Sequence, residues 1–319
     1  MSRRSEFALI AAFRERLPGP HAGVVVGSGD DAAVVRAGGA LSVVSVDTTV
    51  DGVHARLDLG DPIQTARDFG WRGLTTALSD LAACGVGAGR GDGDSRSSAA
   101  PGNPRDTGDA SDGRLGSTED GPTESGPTPE SGPSPASPSF VWELPADTPA
   151  PAGIEVYVAV TLPNGLGDDR ILAIADGMAD AARAYGASVI GGDVTAGPVA
   201  VMSTTVVGWL DDRPLTRAGA KPGDLVGLTG AIGAAGAGLA LTIGEVALTA
   251  VSDPALAASL RTAYQRPVPH FAAGAALREL GATAAIDLSD GLAADARHVA
   301  DASGVVLALG ADAIPIAEG

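Results

Sequence analysis

Aspartates recur in short motifs that follow apolar runs of this sequence, where we expect strands to end. The motifs read GDDAAV, SVDTTVDGVH, LSDLAACG, GGDVTAGP and IDLSDGL, and their acidic residues are Asp30, Asp31, Asp47, Asp51, Asp80, Asp193, Asp287 and Asp290. Apolar flanks of this kind belong to buried elements, where an unpaired carboxylate is costly. Grouped carboxylates are ligands that Mg²⁺ prefers, together with water and phosphate oxygens. We therefore expect the aspartates to form a magnesium site.

Each motif also has an ordinary structural interpretation. An Asp before a helix is a common N-cap, and Asp-Gly and Gly-Gly-Asp are turn sequences. His54, taken alone, is typical of a surface or packed histidine, and no second histidine stands at metal-ligand spacing to it, so zinc is not expected. The repetition of the acidic pattern favours the magnesium site over these separate interpretations.

Neither the dinucleotide-binding glycine loop nor the P-loop is expected in this sequence, so a nucleotide would have to bind in another way. The stretch GSGDDA fits the dinucleotide pattern G-x-G-x-x-[GA], with Asp47 where a ribose-binding acid would stand. That fingerprint needs a helix next, whereas AAVVRAGGALSVVSV predicts a strand, a Gly-Gly turn and a second strand. A P-loop is excluded because the single lysine, Lys221, lies in GAKPGD. Magnesium ions would then have to supply the charge that holds a polyphosphate.

Composition narrows the class of protein further. The chain has 319 residues, with 21 basic and 39 acidic residues and a net charge of −18, which argues against a nucleic-acid partner. No apolar run is long enough to span a bilayer, so no membrane partner is expected. The N-terminal residues are charged throughout their apolar stretch, unlike a signal peptide. Because Cys84 is the single cysteine, no disulfide framework is expected, and we predict a cytoplasmic protein.

The elements that must position the aspartates are mixed α and β. Strands are predicted over residues 23–26, 41–46, 155–161, 199–207 and 225–229, and helices over residues 6–17, 62–84, 168–185 and 270–280. Asp61 followed by Pro62 predicts the start of the second helix. Residues 88–153 are rich in Gly, Pro, Ser, Thr and Asp and predict a disordered insertion. The fold class is α+β, with a domain over residues 1–212 and a C-terminal domain over residues 213–319.

The order of the motifs, together with LTRAGAKPGD and LTG, resembles the thiamine-monophosphate kinase family. That family belongs to an ATP-binding superfamily with aminoimidazole-ribonucleotide synthetase and selenophosphate synthetase. The resemblance covers everything except the insertion. It implies an N-terminal mixed α/β domain whose sheet builds a barrel across a homodimer, followed by an α/β domain. It also implies transfer of the γ-phosphoryl group of ATP to thiamine monophosphate.

The resemblance also assigns roles to residues of this sequence. The implied Mg²⁺ ligands are Asp31, Ser45, Asp47, Asp80, Asp193 and Asp287, with Asp290 for a further ion. The implied ATP contacts are Gly192, Asp193, Arg217 and Ser289, and His54 is an implied contact to the thiamine phosphate. Asp30 is expected to shape the turn beside Asp31. An attacking phosphate is already ionised, so no catalytic base is expected, and we predict direct in-line transfer without a phosphoenzyme.

One departure from the family keeps alternatives open. Relatives carry GGEDYEL downstream of IDLSDG, whereas this sequence reaches Gly319 before such a segment, which predicts a truncated second domain. A catalytically impaired Mg-nucleotide-binding remnant is therefore one alternative. Another ATP-dependent synthetase of the same superfamily is the other.

Overall fold

The computed structural model describes residues 22–27, 29–87 and 153–317. These residues all belong to one compact unit. The predicted helix over residues 6–17 and nearly all of the predicted insertion, residues 88–152, lie outside the described residues. The domain boundary near residue 212 stays a prediction.

A mixed sheet forms the centre of the described structure, with the strand order β1-β2-β3-β6-β4-β5. The strands are β1 (Val24–Val26), β2 (Ala33–Ala37), β3 (Ala40–Val50), β4 (Ile154–Pro163), β5 (Ala187–Gly197) and β6 (Val201–Leu210). Strands β4 and β5 are parallel, and the other neighbours pair antiparallel. A turn at Gly38, whose φ is +60°, joins β2 directly to β3. The predicted strand-turn-strand arrangement is thus confirmed, and the dinucleotide fingerprint is excluded.

Two helices cover one face of this sheet. Helix α1 (Pro62–Ala83) begins at Asp61, whose carboxylate accepts the N–H groups of Ile63 and Gln64, as its sequence predicts. Helix α2 (Asp168–Tyr185) connects β4 to its parallel neighbour β5. The two helices pack closely because Gly70 and Gly177 lack side chains: a Cβ on Gly70 would lie 2.0 Å from the carbonyl oxygen of Ile174. The apolar core lies between these helices and the sheet.

Strand β3 extends further than its apolar run predicts, through Val50. Asp47 therefore lies inside the strand, paired with Thr204 of β6, rather than after its end. Asp193 is likewise inside β5, which continues to Gly197. The expectation that these carboxylates follow strand ends is wrong for both, because ladder pairing with neighbouring strands carries each strand past its polar residue.

Helices dominate the described residues that follow β6. They are α3 (Ala234–Ile243), α4 (Pro254–Gln265), α5 (Phe271–Glu279) and α6 (Leu292–Ser303). The strand predicted over residues 225–229 is wrong: this segment has no ladder partner among the described residues, and Leu225 is 98% exposed. Asp287 likewise follows no strand. Within the described part of the chain, no helix is both long and apolar enough to cross a membrane.

Candidate metal and nucleotide site

Three carboxylates from distant parts of the sequence converge at one end of α1. Asp31 lies in the turn before β2, Asp80 in the last turn of α1, and Asp287 in the segment before α6. One carboxylate oxygen from each residue lies within 4.8 Å of those from the other two. The structure thus brings together three of the predicted ligands, which are separated by 49 and 207 positions along the chain.

Each of these carboxylates has a partner that orients it. Arg217 donates through Nε to Oδ1 of Asp31 at 2.7 Å, and the Asp31 side chain is only 2% exposed. The hydroxyl of Ser45 donates to Asp80, and the hydroxyl of Ser79 donates to Asp287. Because each carboxylate keeps further oxygen lone pairs, these bonds orient the acids without saturating them.

Burial and mutual repulsion make the three acids hard to ionise. Burial, only partly opposed by Arg217, raises the pKa of Asp31 to about 7, with Asp287 adding repulsion. Burial and the neighbouring Asp287 raise the pKa of Asp80 to about 8. Burial also raises the pKa of Asp287, against the hydrogen bond from Ser79. A divalent cation between these groups would relieve the repulsion and favour their charged forms.

The donor set fits a hard divalent cation such as Mg²⁺. It consists of three convergent carboxylates held by serine hydroxyls and an arginine, and carboxylate oxygens are the ligands that such an ion prefers. The nearby thiol of Cys84 is buried, and burial together with the acidic neighbours raises its pKa. A protonated thiol is a poor metal ligand, so oxygen donors dominate the site.

Asp47 lies close to the cluster but outside it. Alternation along β3 puts Asp47 on the same face as Ser45, the face covered by α1, and its carboxylate accepts the N–H of Thr48 at 2.7 Å. Its negative charge contributes to the raised pKa values of Asp80 and Asp287. Asp47 therefore acts electrostatically on two members of the cluster.

Asp193 and Gly192 lie on β5, at the far edge of the sheet from β1. Asp193 is exposed and pairs with Ala159 of β4. Its own strand, β5, is three strands away from β3 in the sheet. The structure does not bring it into the three-carboxylate cluster. At Gly192 a Cβ would lie 2.0 Å from the carbonyl oxygen of Val158, so the close approach of β4 and β5 requires glycine there.

His54 also lies apart from the cluster, in the turn after β3. Its Nδ1 accepts the N–H of Val50 at 3.1 Å, and its carbonyl accepts the hydroxyl of Tyr264 at 3.0 Å. The adjacent Ala55 and Arg56 line a crevice that reaches Arg72 of α1. The structure thus gives the histidine turn a role in seating α4 on the rest of the unit.

Ser289 and Asp290 are exposed in the segment between Asp287 and α6. Two residues that hold this region were not assigned to the site from the sequence. Asp295 accepts backbone N–H groups from this segment, and Ser79 contacts Asp287. The sequence signal for Asp295 is its spacing from Gly291, because an acid one turn into a helix can reach back to the residues before it.

Asp30 shapes the turn before β2, as expected, because its carboxylate accepts the N–H groups of Asp31 and Arg217.

Most of the sheet lies in a part of the chain that is similar to AIR synthase related proteins. The family described as "AIR synthase related protein, N-terminal domain" matches residues 29–88 and 150–210, on either side of the low-complexity segment. The solved complex of AaThiL with AMPPCP and TMP shares the fold, with a TM-score of 0.66 and 22% identity, covering 95% of this chain and 73% of that one.

Closer relatives specify the family. The thiamine-monophosphate kinase of Mycobacterium tuberculosis H37Rv is 31% identical over 317 residues, covering 98% of this chain and 71% of that protein. The crystal structure of the Stenotrophomonas maltophilia thiamine-monophosphate kinase is 28% identical, with a TM-score of 0.60, covering 98% of this chain and 77% of that one. The chain belongs to the thiamine-monophosphate kinase family, which confirms the resemblance seen in its motifs.

Proposed function

We propose that this protein transfers the γ-phosphoryl group of ATP to thiamine monophosphate, forming thiamine diphosphate and ADP. Family membership supports this reaction. The observation that carries it is the convergence of Asp31, Asp80 and Asp287 beside Arg217, because phosphoryl transfer depends on charge neutralisation and alignment rather than on covalent help.

The residues of the cluster would hold the metal and contact the nucleotide. Asp31, Asp80 and Asp287 would hold Mg²⁺, with Asp47 and the Ser45 hydroxyl beside them. When bound, Mg²⁺ supplies positive charge that offsets the polyphosphate charge of ATP. Asp31 engages Nε and one N–H of Nη2 of Arg217, so a contact to a nucleotide phosphate would use Nη1 or the second N–H of Nη2. The proposal also keeps the contacts that the resemblance implies for residues outside the cluster. ATP would contact Gly192, Asp193 and Ser289. Mg²⁺ would be held by Asp193 and Asp290, and the thiamine phosphate would contact His54.

The transfer is proposed to be direct and in line. An oxygen of the thiamine monophosphate phosphate attacks the γ-phosphorus of ATP while the bond to the β,γ-bridging oxygen breaks, and ADP leaves with that electron pair. The acceptor oxygen is already ionised, so no side chain has to remove a proton.

Single-turnover transfer from γ-³²P-ATP tests this function. We expect the label to pass to thiamine diphosphate with no labelled protein at any time. A labelled protein intermediate would refute direct transfer, and ATP hydrolysis with no labelled thiamine diphosphate would refute the acceptor.

One face of the sheet is left uncovered by the described residues, and this supports a homodimer as part of the proposal. Val46 of β3 and Tyr157 of β4 flank Thr205 of β6 on this face, and they are 65% and 40% exposed. A second copy of the chain would cover this apolar row.

Light scattering should report a dimer for the wild type and a monomer for Val46→Glu. Leu172→Glu, at an exposed position of α2, is the matched control and should remain dimeric. A monomeric wild type would refute the dimer.

A further inference from the structure

Helix α6 has a buried acid one turn inside its N-terminus. Asp295 is only 2% exposed. Its Oδ2 accepts three consecutive backbone N–H groups, from Ser289 at 3.1 Å, Asp290 at 3.3 Å and Gly291 at 3.1 Å. A buried carboxylate is costly unless it is hydrogen-bonded, and these bonds offset that cost.

The same three bonds define the conformation of the segment that carries Asp287 and Asp290. Gly291 has φ +106°, in the region that favours glycine, and this lets the chain turn sharply into α6. The N–H of Asp295 in turn donates to the carbonyl of Gly291 at 3.1 Å. Hydrogen bonds therefore run both from residues 289–291 to Asp295 and from Asp295 back to Gly291.

The hydrogen bonds to Asp295 also limit which groups of residues 289–291 can contact a nucleotide. Consecutive N–H groups at a helix N-terminus ordinarily bind anions such as phosphate. Here the anion is the protein's own Asp295, so these N–H groups are already engaged. A contact from Ser289 to a nucleotide phosphate would therefore use its hydroxyl, and Asp287 and Asp290 are left to hold cations.

The far end of α6 reaches the other side of the site. Ser303 donates through Oγ to the carbonyl of Arg217 at 3.0 Å, and it accepts the N–H groups of Gly219 and Ala220 at 3.1 Å. One helix thus contacts the backbone of the acidic turn at its start and the backbone of Arg217 at its end.

We propose that Asp295 is a positioning residue that fixes the turn of residues 289–291 and so presents Asp287 and Asp290 to the metal ions of the nucleotide complex. This inference rests on the proposed function for its catalytic consequence. The Asp295 carboxylate is engaged by the backbone N–H groups of residues 289–291. It acts by holding the backbone from which two cation ligands project.

The test compares Asp295→Ala with Asp295→Asn in the full chain. The alanine variant loses the acceptor, so amide hydrogen exchange should accelerate at residues 289–291 and Mn²⁺ affinity, followed by EPR, should fall about tenfold or more. The asparagine variant keeps an acceptor oxygen and should restore slow exchange and most of the affinity. Asp253→Ala, which removes the exposed N-cap of α4, is the matched control and should leave Mn²⁺ binding unchanged.

Kinetics separate a positioning role from a merely structural one. Asp295→Ala should raise KM for Mg-ATP about tenfold while KM for thiamine monophosphate changes less than about twofold. A folded alanine variant with wild-type Mn²⁺ affinity would overturn the proposal. So would an asparagine variant that protects the amides but binds Mn²⁺ as weakly as the alanine variant. If the alanine variant does not fold, Asp295→Ser, which is too short to reach the turn, replaces it under the same criteria.

The Mn²⁺ and exchange measurements also separate the two proposals. A wild-type protein that binds Mn²⁺ but phosphorylates no thiamine monophosphate would defeat the proposed function and leave the test of Asp295 standing. An active wild type with an unaffected alanine variant would defeat only the role of Asp295.

Discussion

The guanidinium of Arg217 donates from Nε to Oδ1 of Asp31 at 2.7 Å, while the backbone N–H of Arg217 donates to the neighbouring Asp30. Two adjacent aspartates therefore hold one arginine at both its side chain and its backbone. This double contact fastens the segment after β6 to the turn before β2 and puts a positive charge in direct contact with the carboxylate cluster.

Replacing Arg217 should weaken the metal-free protein. Arg217→Ala leaves the buried Asp31 carboxylate without its charged donor, and we expect a loss of about 1–3 kcal/mol in the free energy of unfolding. Urea denaturation in EDTA at about pH 8 measures it, because Asp31 is then mostly ionised. Arg183→Ala removes an exposed pair with Asp180 and should have little effect. Equal stability of the two variants would show that the Arg217–Asp31 pair contributes nothing.

Asp80→Asn should have opposite effects with and without metal. At about pH 8.5 the amide replaces a buried, repelled carboxylate and can still accept the Ser45 hydroxyl, so the metal-free variant should melt about 2–4 °C above the wild type. Millimolar Mg-ATP should raise the melting temperature of the wild type but not that of the variant.

Asp68→Asn is the control for this comparison. Asp68 is buried and paired with Arg266 at 2.6 Å, so its loss should lower the melting temperature and leave the Mg-ATP shift intact. A wild-type protein with no shift at millimolar Mg-ATP would count against the whole site.

Metal-free stability should fall as the pH rises. The folded-state pKa values of Asp31 and Asp80 are raised to about 7 and about 8, above the ordinary value of 3.8. The folded protein therefore binds more protons than the unfolded chain between about pH 4 and pH 8, and its stability declines through that window. Urea midpoints in EDTA across this range should decrease, and the Asp31→Asn, Asp80→Asn double variant should flatten the slope. A wild-type midpoint that rises through the window would contradict the shifts.

Asp47→Asn should remove activity without removing the fold. The amide can still accept the Thr48 N–H through its oxygen but no longer carries the charge that faces the cluster. We expect turnover to fall about 100-fold or more and the free energy of unfolding to change by less than about 1 kcal/mol. Steady-state kinetics and urea denaturation provide the two measurements. Asp176→Asn, at an exposed position of α2, should match the wild type in both.

Gly192→Ala should destabilise the sheet edge. The added Cβ would lie 2.0 Å from the carbonyl oxygen of Val158, so β4 and β5 would have to separate locally. We expect a loss of about 1–3 kcal/mol in the free energy of unfolding. Gly165→Ala is the matched control because a Cβ there meets nothing within 4 Å. If the two variants unfold at the same urea concentration, the close approach is not a constraint.

The sequence by itself determined most of the local structure. Its repeated aspartates predict a magnesium site, and the strand-turn-strand reading of residues 33–50 excluded the dinucleotide fold. The Asp61 cap and the helices at α1, α2 and α5 follow from local signals, because caps and amphipathic periodicity are properties of neighbouring residues.

Only the tertiary structure decided which carboxylates meet. Asp31, Asp80 and Asp287 come together because the turn before β2, the end of α1 and the segment before α6 pack at one place. Asp193, whose motif looks equally suited, lies on an edge strand outside the cluster. The role of Asp295 depends on three backbone N–H groups that its buried carboxylate reaches. Such convergence arises from packing between distant segments, which no local pattern of residues encodes.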